Sequence, residues 1–161
     1  MKSIGFRLVY AGLVSLICEI KSATHIELGD TVFTNVARSG AKVFTFSGYK
    51  NQVISVRAAI KPSRTGPRLR FQLFSPEEAE LLATISGRPS AELNQFTLTS
   101  EGPHTLILFD ESGTWFDHQI AGVTIVDNQV PDESLRFRDT VVGTFQVSDI
   151  DVYSFEGRTS E

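Results

Sequence analysis

Apolar residues in this chain recur at every second position, and no stretch shows a helical period. In 42–47, Phe44 and Phe46 point one way while Val43 and Thr45 point the other. In 52–59, Ile54, Val56 and Ala58 alternate with Ser55 and Arg57. In 68–74, Leu69, Phe71 and Leu73 alternate with Arg70 and Gln72. Successive side chains of a strand leave on opposite faces, so each run predicts a strand with one buried and one wetter face. Segments 81–84, 93–98, 104–110 and 119–126 continue the series. Residues 104–110 are apolar on both faces through Leu106, Ile107, Leu108 and Phe109, which predicts a central strand.

Turn residues separate the runs, at Ser39-Gly40, Gly48, 63–67, Gly87-Arg88-Pro89, Glu101-Gly102-Pro103 and Ser112-Gly113. One stretch, 76–82, has the composition of a single helical turn or of a polar hairpin loop. About eight short strands at this spacing predict an all-β fold, an antiparallel β-sandwich of jelly-roll type.

A second regularity concerns organisation. Residues 26–52 (IELGDTVFTNVARSGAKVFTFSGYKNQ) and 135–161 (LRFRDTVVGTFQVSDIDVYSFEGRTSE) align without a gap at an offset of 109 residues. Asp30-Thr31-Val32 matches Asp139-Thr140-Val141; Val43, Phe46 and Gly48 match Val152, Phe155 and Gly157; Phe44 matches Tyr153. That period is the size of a domain, not of a solenoid unit. Residues 26–127 are therefore expected to form one sandwich, the polar stretch 128–134 (NQVPDES) a linker, and 135–161 the incomplete start of a second repeat. Two strands alone cannot bury a core. Residues 132–161 are expected to be poorly packed or to lie against the first module.

The N-terminus has the layout of a secretory signal peptide over residues 1–23. Lys2 and Arg7 precede an apolar run from Leu8 to Cys18, followed by the small residues Ser22, Ala23 and Thr24. The run is shorter than the roughly 20 residues that span a bilayer, so no membrane span is expected in the mature chain. Cys18 is the single cysteine, so a secreted product carries no disulfide and relies on its core. Removing Lys2, Arg7, Lys21 and Glu19 with the leader leaves 12 basic and 18 acidic residues, a formal charge of −6. That balance opposes binding to nucleic acid, where cations must displace counterions.

These residues together resemble the bacterial pre-peptidase C-terminal (PPC) domain family. The resemblance rests on Gly29-Asp30-Thr31-Val32, on Val43-Phe44-Thr45-Phe46 followed by Gly48, and on Asp149-Ile150-Asp151-Val152-Tyr153-Ser154-Phe155. Phe71–Pro76, Leu81-Leu82-Ala83 and Gly102-Pro103-His104-Thr105-Leu106 extend it over most of 26–126. The chain departs from the pattern at Lys42, at His104 in place of Tyr, and at Glu77-Glu78 in place of an Asp-Gly turn. The resemblance implies a secreted, non-catalytic β-sandwich appended to extracellular proteases and other exported proteins. Its implied partners are an extracellular polymer, protein or polysaccharide, or other domains of a larger exported protein.

Candidate chemistry is sparse. His104, Asp110, Ser112, Asp117 and His118 include acid, base and hydroxyl groups, but no nucleophile elbow exists and Ser112 suits its turn for loop reasons. Asp110, Glu111 and Asp117 are a candidate Ca²⁺ set; three carboxylates would need carbonyls and water to reach six or more oxygens. No other cofactor is expected. Trp115, Phe116 and Tyr49 are candidate ligand-binding aromatics, and in the alternative reading they stack on a sugar ring as in a carbohydrate-binding module. Arg68 and Arg70 share one strand face near Lys61 and Arg64, and offer themselves to an acidic polymer.

Overall fold

A computed structural model describes residues 23–36, 40–60, 67–77, 80–111, 119–129, 133–135, 150 and 153–155. The expected leader, up to residue 22, and most of the second repeat lie outside them. The strands are β1 (Thr24–His25), β2 (Thr31–Val36), β3 (Lys42–Gly48), β4 (Val53–Ile60), β5 (Leu69–Phe74) and β6 (Leu81–Gly87). β7 (Ser90–Thr97), β8 (Gly102–Asp110), β9 (Gln119–Asp127), β10 (Glu133–Leu135) and β11 (Tyr153–Phe155) complete them.

One sheet has the order β1-β3-β8-β5-β6 and the other β2-β9-β4-β7. Apart from β1, which pairs parallel to β3, every neighbour in these two sheets is antiparallel. Apart from the β5–β6 hairpin, each connection from β2 to β9 crosses between sheets, which is the jelly-roll arrangement. β8 lies at the middle of its sheet, as its two apolar faces require. β5 and β6 pair antiparallel on either side of the stretch 76–82, of which 78 and 79 lie outside the described residues. Ser75 N donates to Glu80 O at 2.9 Å, Ser75 Oγ donates to Glu77 O at 2.6 Å, and β6 begins at Leu81.

The alternating residues form the core. Phe44, Phe46, Phe71, Leu69, Leu73, Leu106 and Leu108 from one sheet meet Ile54, Val56, Ala58, Ile60, Ala121, Val123 and Ile125 from the other. Ser55 departs from the expected wet face and is buried. The β4–β7 register shifts between Ile54 and Val56, and Ser55 Oγ accepts from Gln95 N at 3.1 Å and Asn128 Nδ2 at 3.0 Å. A bulge thus turns a polar side chain into a fastening point.

Two glycines are set by close approach. A Cβ on Gly48 would overlap Leu98 Cδ1 and lie 3.2 Å from His104 Nδ1. A Cβ on Gly87 would overlap the Ser90 carbonyl oxygen and lie 2.7 Å from its carbon, at the corner where β6 turns into the opposite sheet.

The parallel register of β1 on β3 recurs further along. Thr24 pairs with Phe44 and His25 with Thr45. Glu133 pairs with Tyr153 and Ser134 with Ser154, also parallel. These two pairs, the first of three in the second set, lie 109 residues beyond those of the first set.

Candidate functional site

Strand direction sorts the loops into two groups. Gly48 pairs with Gly102, and Leu69 pairs with Asp110, at opposite ends of β8. The β1–β2, β3–β4, β5–β6 and β7–β8 connections, and the chain leaving β9, share the Gly48 end. The β2–β3, β4–β5, β6–β7 and β8–β9 connections share the Asp110 end. The nine residues of β8 separate the two by about 27 Å at ~3.4 Å per residue.

This arrangement divides the candidate aromatics. Tyr49 directly follows Gly48 and is half exposed. Trp115 and Phe116 lie outside the described residues, but the strands flanking them stop at Asp110 and start at Gln119, at the other end. The strand end that precedes Tyr49 and the strand ends that flank 111–118 therefore lie at opposite ends of β8.

Tyr49 belongs instead to a polar network at its own end. Its hydroxyl lies 3.3 Å from both Asp127 Oδ2 and Gln129 Oε1, which share its one proton. Its amide donates to Gln52 Oε1 at 3.1 Å, and Gln52 Nε2 donates to Asp127 Oδ2 at 2.7 Å. Gln52 is only 1% exposed, so its amide needs both partners. Gln129 N donates to Asp127 Oδ1 at 2.8 Å. Burial and then the neighbouring Asp127 carboxylate hold the Tyr49 phenol above its ordinary pKa.

The candidate calcium ligands are engaged differently. Glu111 forms an ion pair with Arg70 through Oε1, and its Oε2 lies 3.4 Å from Arg68 Nε. Arg70 Nε also donates to Ser86 Oγ at 2.8 Å. A carboxylate facing two guanidinium groups is a poor cation ligand, so Glu111 does not fit the expected Ca²⁺ role. The same contacts direct Arg68 and Arg70 toward Glu111 within the chain rather than toward an external polymer. Asp117 lies outside the described residues, as do Ser112, His118, Lys61 and Arg64. Among the described residues no group of three or more His, Cys, Asp or Glu side chains could hold a metal ion.

His104 is fully buried and stacked on Phe46, with ring centroids 5.3 Å apart. Nδ1 lies 3.0 Å from Gly102 O, which assigns the proton to Nδ1. Nε2 is buried and meets no hydrogen-bond partner. Walled off from solvent, the ring suits no general-base role. Burial lowers its pKa, partly opposed by the bond to Gly102.

A histidine with a lowered folded pKa takes up its proton more readily in the unfolded chain. Its stabilising effect is complete above the unfolded value near 6.5 and declines as pH falls through that value toward the folded one. Urea titrations from pH 7.5 to 5 should show this chain losing stability by up to about 1.4 kcal/mol per pH unit more steeply than His104→Phe. Parallel slopes for the two proteins would assign any acid sensitivity to other groups.

Fold and site together define a jelly-roll β-sandwich. The structure is similar to the pre-peptidase C-terminal domain of a collagenase from Bacillus anthracis, with a TM-score of 0.51 at 15% identity over 65% of this chain and 94% of that one. Weaker likenesses are to the PliG inhibitors of g-type lysozyme from Aeromonas hydrophila and Salmonella Typhimurium. The first has a TM-score of 0.35 at 12% identity, covering 64% of this chain and 96% of that one. The second has 0.39 at 10% identity, covering 65% and 99%. No protein-family model and no curated protein matches the sequence. At 15% identity the collagenase domain shows a shared fold, the one that the sequence resemblance implied. Among the described residues no helix is long and apolar enough to cross a membrane.

Proposed function

We propose that this chain is an exported, non-catalytic accessory module that binds an extracellular polymer through the connections at the Asp110 end. The observation that carries the reading is the division of labour between the two ends. At the Gly48 end, Tyr49, Gln52, Asp127 and Gln129 are spent on one another. The connection between Asp110 and Gln119 holds the sequence's single tryptophan. The burial of His104, whose ring stacks on Phe46 and whose Nδ1 is taken up by Gly102 O, supports the non-enzymatic assignment. The polymer is the substrate of the enzyme the module accompanies, a protein or a polysaccharide.

The repeated parallel register supports reading residues 135–161 as the opening of a second copy, with Tyr153 and Phe155 at the register positions of Phe44 and Phe46.

Pull-down of the purified chain on insoluble polysaccharides and on fibrous proteins tests the function. Retention on one class, lost in Trp115→Ala and kept in Tyr49→Phe, is the expected result. Retention on a glycan selects the carbohydrate-binding alternative. If the chain stays in the supernatant with every polymer, the binding role is wrong.

A further inference from the structure

The end of β9 is fastened beyond what a strand requires. Asp127 is held by Gln52 Nε2 at 2.7 Å and by the Tyr49 hydroxyl at 3.3 Å. Asn128 N donates to Val53 O at 2.8 Å, and Asn128 Nδ2 donates to Ser55 Oγ at 3.0 Å. Gln129 accepts from Tyr49 and turns its own amide back to Asp127 Oδ1 at 2.8 Å. Three consecutive residues, two of them past the strand, are thus tied to β4 and the β3–β4 turn.

The turn that receives them is itself rigid. Asn51 takes a left-handed backbone with φ of 68°. Its amide donates to Leu98 O at 2.9 Å, while Leu98 N donates to Gln52 O at 2.8 Å. The Gln52 side chain is oriented at both ends, accepting from Tyr49 N and donating to Asp127. Only three residues, 130–132, then separate Gln129 from Glu133, where β10 begins.

We propose that Tyr49, Gln52, Asp127 and Gln129 form an exit latch. It fixes the direction in which the chain leaves the sandwich, and so restricts where the β10–β11 pair can lie. The expected linker then has no slack at its first two residues, Asn128 and Gln129. The cost of ordering them is offset by hydrogen bonds, one of which is charge-assisted and buried at Gln52. The latch uses the end of the sandwich opposite to the proposed binding loops, and it stands or falls separately from them.

Spin labels at Thr99→Cys and Ser134→Cys, in the full chain carrying Cys18→Ser, test it by pulsed dipolar spectroscopy. The parent should give one narrow distance distribution. Tyr49→Phe keeps the ring and loses the hydroxyl; it should broaden the distribution while the melting temperature stays within a few degrees. Asp127→Asn removes the shared acceptor charge and should broaden it further, to about twice the parent width. If Asp127→Asn fails to fold, Tyr49→Phe decides. A broad distribution in the parent, or one unchanged by Tyr49→Phe, overturns the latch, and neither outcome bears on polymer binding.

Discussion

Gly87→Ala is expected to cost at least about 3 kcal/mol, a large share of the roughly 5–15 kcal/mol that stabilises a domain of this size. The added methyl has no space. It would overlap the Ser90 carbonyl oxygen and sit 2.7 Å from the Ser90 carbon and 3.1 Å from Ala91 Cα. These are backbone atoms, so no rotamer change relieves the contact. Ala91 is buried in the core and pairs with Ala58, which prevents β7 from moving away as a whole. Relief must come from opening the corner that joins the two sheets. Equilibrium urea unfolding of the purified variant measures the effect through the midpoint, provided the slope is unchanged. A midpoint within about 0.3 M of the parent would mean the corner adapts cheaply.

Phe46→Ala is expected to cost about 3–5 kcal/mol, the range for emptying a buried aromatic site. Phe46 is fully buried on the central pair β3–β8, where it lies opposite His104 and stacks on its ring. Truncation removes the ring stacked on a histidine whose Nε2 is already without a partner. Water admitted to the cavity would reach that nitrogen, so the variant should also lose part of the acid sensitivity ascribed to His104. A loss below about 1 kcal/mol, with the slope against pH unaltered, would contradict this account of the core.

Much of the fold was legible because period-two patterning reports burial directly. Phe44, Phe46, Leu69, Phe71 and Leu73 occupy the faces that their alternation predicted. The central position of β8 followed from its lack of a polar face. Ser55 was misread because a bulge changes which residues share a face, and nothing in Gln52–Ser55 announces one. The site was far less legible. Tyr49 and Trp115 looked alike as loop aromatics, yet their flanking strands end about 27 Å apart, a separation that depends on strand direction. Glu111 looked like an open carboxylate until the β5–β8 register brought Arg68 and Arg70 beside it. The exit latch joins residues 75 to 80 positions apart in sequence, and no local pattern connects them.

The alternation of crossings between the sheets has a practical consequence for protein engineering. Four connections reach one end of the sandwich, while the network around Gln52 occupies the other. Randomising residues 112–118 therefore leaves the hydrogen bonds of the far end untouched. A chain with a single cysteine, at position 18, also needs no oxidative folding step to display such a library. The first module is thus suited to serve as a display scaffold, with selection acting on one pole and chain attachment on the other.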